Sequence, residues 1–221
     1  MIEPREKYAG CVIAIDGTFS SGKGTLGKAL AAHYGLDYLD TGKLYRIIAH
    51  NILKENADPD NADHCTKIAK NLTSEAISKL IDNPVLKSGN VGAAASRVAV
   101  HPDLREALLV FQRRFAATGA VLDGRDIGTV ICPHADVKLY IDADPSERAK
   151  RGHAELVGYG EDITYEAVLA QLRERDARDK SRSVAPLKPA SDAHFIDTTQ
   201  QSIDQVLKAA IAITDAVLTA S

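Results

Sequence analysis

The stretch GTFSSGKGT, residues 17 to 25, limits what this chain can fold into more than any other feature. Gly17 and Gly22 bracket four residues, Lys23 follows, and Gly24 and Thr25 close the run. Such spacing marks a phosphate-binding loop: glycines let main-chain N–H groups approach phosphate oxygens, and the lysine adds a full charge. The context agrees with the motif. CVIAID, residues 11 to 16, is a continuous apolar run ending in Asp, as expected of a parallel strand covered on both faces. After the loop, Leu26, Ala29, Leu30 and His33 recur at helical spacing, and Gly35 is placed to end the helix. Strand, loop and helix in that order aim a helix N-terminus at the phosphates. Gly17, Thr18, Phe19, Ser20, Ser21, Gly22, Lys23, Gly24 and Thr25 are therefore the expected nucleotide-phosphate cradle. Gly24 stands where most loops of this kind carry a metal-binding Ser or Thr, so no protein ligand is assigned to a metal.

Strand patterns recur at 120–123 (AVLD), 137–141 (VKLYI) and 194–196 (HFI), each followed by a helical pattern. That alternation predicts an α/β fold with a central parallel sheet. Asp144, Pro145, Ser146 and Glu147 open one helix with an N-cap, a proline at N1 and a capping-box carboxylate. Ser202 and Gln205 open the last, which is expected to bury Ile203, Val206, Leu207, Ala210, Ile211 and Val217. Residues 55–118 carry helical pattern without a convincing strand and read as an insertion rather than sheet. A chain of 221 residues fits one domain, 1–221, because single cores stop growing near roughly 250–300 residues.

Charge excludes some functions. The 27 Lys+Arg are outnumbered by 30 Asp+Glu, which gives no footprint for nucleic acid. Cys11, Cys65 and Cys132 form neither a CxxC pair nor a zinc set, and read as reduced thiols. The apolar run at 11–15 is too short for a signal peptide or a membrane span, so a cytoplasmic protein with no membrane contact is expected.

Three further strings suit anionic ligands. In LDTGKLYR, residues 39–46, Thr41 sits beside a helix start and Arg46 one turn on; together they can hold a phosphate, although Thr41 alone also suits a plain helix cap. DGRDIGTV, residues 123–130, puts Arg125 and Asp126 at a strand's carboxyl end, where open parallel sheets bind ligands. In RERDARDKSRSVAPL, residues 173–187, Arg175, Arg178 and Arg182 share one helix face with Asp176 and Asp179 interleaved. Like charges repel there unless an anion or acid lies among them, though a salt-bridged solvated face has the same pattern.

The GKGT form of the loop is similar to that of nucleoside monophosphate kinases. The four strings together resemble the bacterial cytidylate kinases over nearly the whole chain. The resemblance implies a P-loop NTPase fold of three α/β/α layers, with an acceptor-binding helical insertion at 55–118 and a mobile lid at 146–163. It implies transfer of the γ-phosphate of ATP, bound with Mg2+, to CMP or dCMP. Lys23, Arg151, Arg175 and Arg178 would then act on the transferred group, and Arg148 would be a second lid arginine. Thr41, Arg46, Arg125 and Arg182 would hold the acceptor phosphate, and Asp179 its ribose. Ser96, Arg105 and Asp126 would read cytosine, although by themselves Ser96 suits close helix packing and Arg105 a solvated helix charge. A carboxylate accepts from the N4 amine, and uracil has none. Two departures stand out: Arg151 is followed by Gly152 where the family has two adjacent arginines, and the insertion lacks the usual hairpin. Other readings of the loop are a kinase for UMP, shikimate or gluconate, or a binding protein that hydrolyses ATP slowly. A monomer is expected.

Overall fold

The computed structural model describes residues 7–220. Five strands, β1 (Val12–Gly17), β2 (Asp37–Asp40), β3 (Ala120–Gly124), β4 (Val137–Asp142) and β5 (His194–Asp197), form one sheet in the order β2-β3-β1-β4-β5. All pairings are parallel, with Asp16 opposite Gly124 and Tyr140, and Asp40 opposite Asp123. The alternation of strand side chains sorts the cores. Ile13, Ile15, Val121, Leu139 and Ile141 face one side with α1 (Lys23–Tyr34) and α9 (Ile203–Ala220). Ala14, Ala120 and Leu122 face the other with the end of α6 (Pro102–Ala116) and a π-helical turn, Ile127–Ile131.

Between β2 and β3 lie α2 (Thr41–Lys54), α3 (Ala62–Lys70), α4 (Ser74–Leu80), a 3-10 turn (Pro84–Lys87), α5 (Gly89–Val98) and α6. They share a separate core around Leu44, Ile48, Ile52, Val98 and Leu104. Their ends are capped locally: Asn61, Thr73, Asn83 and Ser88 each accept a main-chain N–H two or three residues on. Helices α7 (Pro145–Gly158) and α8 (Tyr165–Ser181) pack on each other through Ala149, Val168 and Leu172.

The structure corrects several expectations in detail. In α1 the buried aromatic is Tyr34, not His33, which is exposed; Gly35 does end that helix, at φ 66°. Ile203 is 66% exposed because it is the first residue of α9, ahead of the part that reaches the sheet. The Ser202–Gln205 box is reciprocal, at 2.8 and 3.2 Å. The Asp144 box is half made: Asp144 accepts from the Ser146 N–H at 2.7 Å, but its own N–H donates to Thr199 rather than to Glu147. The three cysteines are free thiols. Among the described residues no helix is long and apolar enough to cross a membrane.

Candidate active site

Because every strand is parallel, all five end on the same edge of the sheet, and each brings an aspartate there: Asp16, Asp40, Asp123, Asp142 and Asp197. The phosphate loop leaves β1 at Gly17, where a Cβ would lie 1.9 Å from the Ile141 carbonyl oxygen, so only glycine passes β4. Gly22 at φ 94° is the N-cap of α1, and Ser20 is held at φ 57°. Three contacts pin the loop from outside and one from within. Thr18 Oγ1 donates to Asp142 at 2.5 Å, Ser21 Oγ to the Thr18 carbonyl at 3.0 Å, Thr198 Oγ1 to the Ser21 carbonyl at 3.0 Å, and Arg148 to the Phe19 carbonyl at 3.3 Å.

Lys23 is buried and donates to the Thr18 carbonyl at 2.6 Å. Burial and the nearby Arg125 push its ammonium down to about 7, against the pull of Asp123 and Asp40. An incoming phosphate favours the charged form and draws the amine off the carbonyl. Tyr38 donates to Asp123 at 2.5 Å, and burial, then the neighbouring Asp40, push the Asp123 carboxyl up to about 7. Gly24 faces this pair, at 3.6 Å from the Tyr38 hydroxyl to where its Cβ would be.

The loop opens on a cleft of about 580 Å³ between α2, the Pro84–Lys87 turn, α5, α7 and α8. Phe19 to Thr25, Arg46, Ser96, Arg125, Arg175 and Arg178 line it. A smaller cavity adjoins it through Ser96, Arg125 and Arg175, and there Thr41, Arg105, Asp126, Asp179 and Arg182 meet. Sequence-expected residues from five separate stretches thus surround one space. Gly17 and Thr18 stand behind the loop rather than in the cleft.

Each residue expected on the acceptor side has a defined partner. Thr41 does not cap its helix; its hydroxyl donates to the Asp123 carbonyl at 2.8 Å. Arg46 donates to the Leu86 carbonyl at 2.5 Å, with room made by Gly92, and burial pushes its guanidinium down. Arg105 is buried, and donates to Asp126 at 2.6 Å and to the Ala99 carbonyl at 3.0 Å, with the Tyr45 ring 5.3 Å away. Its helix position would equally suit a solvated charge, so the pairing is what separates the two. Asp179 is 1% exposed and accepts from Arg125 at 3.0 Å and from Arg182; burial raises its carboxyl, but Arg125 and Arg182 outweigh that and hold it low. Arg178 reaches Ser96 at 2.9 Å and also Glu174. Arg175 stacks on Phe19 at 4.3 Å, and burial and Arg125 push it down to about 9. Its buried Nε has no partner.

Arg151 lies elsewhere. It donates to the Thr198 hydroxyl and carbonyl at 2.9 and 2.6 Å, behind the loop. Arg148 is not a free lid charge either, being 2% exposed with bonds to Ala143, Phe19 and Asp176. Gly152, where the family pattern has an arginine, lines the cleft with its Cβ position 3.1 Å from Ser20 Oγ. Sequence reasoning missed Asp16, Tyr38, Asp40 and Thr198 as site residues; an aspartate ending every strand was the available signal.

The family model described as cytidylate kinase matches residues 13–216. The chain belongs to the cytidylate kinase family. Among curated family members it is 53% identical over 208 residues to the cytidylate kinase of Nitrobacter winogradskyi, covering 93% of this chain and 96% of that one. It is 50% identical to that of a Bradyrhizobium species, with the same coverage. A solved structure of an uncharacterized protein from Eubacterium ventriosum, 16% identical, superposes over 94% of this chain and 99% of its own with a TM-score of 0.52 and shares the fold.

Proposed function

We propose that this enzyme transfers the γ-phosphate of ATP to CMP or dCMP, giving ADP and CDP or dCDP. The observation that carries the reading is the buried Arg105–Asp126 pair in a cavity that opens, past Arg125 and Arg175, onto the phosphate loop. A guanidinium and a carboxylate side by side match the acceptor and donor edge of cytosine. Membership of the family, and curated relatives named cytidylate kinase, support the same acceptor.

Lys23 and the loop hold the donor phosphates, and Arg46, Arg125 and Arg182 take the acceptor's. Arg175 and Arg178 offset the charge of bringing two anions together. The acceptor phosphate is already an anion, so no carboxylate acts as a general base. We assign Asp179 to ribose through the oxygens that its arginines orient. Arg151 acts through Thr198 on the loop. Residues 55–118 are read as the acceptor-binding insertion and 146–163 as the lid, in one domain working as a monomer in the cytoplasm.

Among the described residues no three His, Cys, Asp or Glu side chains gather to chelate a metal. Two of the carboxylates lining the cleft, Asp40 and Asp123, nonetheless fit Mg2+ delivered with ATP, since their mutual repulsion is what a divalent cation relieves. Asp40 and Asp123 would hold it beside the loop, where it would supply neutralisation of phosphate charge.

Incubation with ATP and CMP, dCMP or UMP tests the reading. CDP and dCDP form fastest; ADP without CDP excludes transfer, and a preference for UMP excludes the role of Asp126. Lys23→Ala abolishes transfer and leaves the far-UV circular dichroism unchanged.

A further inference from the structure

Asp16, the last side chain of β1 before the loop, is 4% exposed. Its two carboxylate oxygens accept separate main-chain donors: Oδ1 the Ile127 N–H and Oδ2 the Gly128 N–H, each at 2.7 Å. These are the first two N–H groups of the π-helical turn, which its own preceding residue does not cap. Asp126 is turned instead toward Arg105. The orphan donors of a helical turn are therefore satisfied from a strand 111 residues away. Gly128 packs against the Lys138 stem, 3.1 Å from where its Cβ would be, with Asp16 Oδ2 next at 3.4 Å.

We propose that Asp16 is a positioning residue for the acceptor: it fixes the Arg125–Asp126 segment against the strand that carries the phosphate loop. Base reader and donor cradle then keep one spacing. The inference rests on the reading of CMP as acceptor. A cap of purely structural purpose is a poor account of a carboxylate here. Burial above all, with the nearby Asp126 adding to it, pushes its carboxyl up to about 6, and the two amide donors and Lys23 only partly oppose this. At neutral pH the ionised group is held at a cost in stability, as is common at functional positions.

Asn at position 16 keeps the shape but accepts only one N–H, its amide nitrogen facing the other donor. For Asp16→Asn we expect the KM for CMP to rise, and the preference for CMP over UMP to fall, by roughly tenfold. The KM for ATP should stay within about twofold, and the thermal midpoint within about 4 °C. In a cycle with Asp126→Asn, the double variant should discriminate CMP from UMP no worse than Asp126→Asn alone. Equal rises in both KM values, or additive loss in the cycle, overturn the inference. Hydrogen exchange on the wild type keeps it testable should the variant not fold: amides 127 and 128 must be protected with and without nucleotide, and fast exchange overturns it. A wild type that phosphorylates no CMP sinks the acceptor reading instead, leaving the exchange result to judge the cap alone.

Discussion

Two buried Arg–Asp pairs differ in whether they face a cavity. Arg148–Asp176, at 2.7 Å, joins α7 to α8; Arg105–Asp126, at 2.6 Å, joins α6 to the turn after β3. Arg148 spends its other donors on the Ala143 and Phe19 carbonyls and faces neither cavity. Arg105 and Asp126 both line the smaller one. Under the proposed function, the same pair of residue types serves as a strut behind the donor loop and as a base reader in the acceptor pocket. A buried pair is weak evidence of stability by itself; its remaining contacts decide what it does.

The comparison breaks most readily at Arg148. Removing one partner of a buried pair that faces no cavity leaves a charge without compensation and costs about 3–5 kcal/mol. For a chain of this size that corresponds to a fall in midpoint of about 10 °C. Arg148→Ala should show such a fall in thermal unfolding, and Arg148→Lys should recover part of it. A shift under about 2 °C would mean that Arg148 is not a strut. Asp126→Asn should lose less stability, because its amide oxygen still accepts from Arg105 and the pair lines a cavity.

Ligand binding sharpens the contrast. The cleft and the smaller cavity gather arginines; burial first and then their mutual repulsion push Arg175 and Arg182 down, and an anion relieves the repulsion. CMP at about 100 times its Kd should stabilise by about 2.7 kcal/mol, raising the midpoint by roughly 5–10 °C. Arg148→Ala should keep most of that shift although it starts from a lower midpoint. Asp126→Asn should lose most of it at the same CMP concentration and require about tenfold more CMP. If both variants lose the shift equally, the two pairs do not have separate roles.

Strands and the loop were legible because continuous apolar runs and glycine spacing are local signals. Boundaries moved by one residue, as at β1 and β3. Arg148 was not legible: in SERAKRG it resembles any helix charge, and its acceptor Phe19 lies 129 residues away. Asp16 looked like the end of a strand for the same reason. The residues proposed for the acceptor were singled out because four short strings resemble those of one family, whereas periodicity alone left Ser96 and Arg105 as packing and solvation. The contact of Arg151 with Thr198 joins a helix to the segment after the edge strand, and no spacing in the sequence announces it.

The smallest expected effect lies where donor and acceptor sides touch. Glu161, in the loop between α7 and α8, accepts the Gly89 N–H at the start of α5 at 2.5 Å, and Lys87 sits 4.9 Å over the Tyr159 ring. A carboxylate at a helix N-terminus contributes about 0.3–1 kcal/mol when exposed to solvent. Glu161→Gln keeps an acceptor but removes the charge, so KM values for ATP and CMP should both rise, by no more than about threefold. Raising the salt concentration should shrink the difference between wild type and variant, because the contribution is electrostatic. A rise confined to one substrate would assign Glu161 to that side of the cleft. No rise in either would mean that the contact closes nothing that the reaction uses.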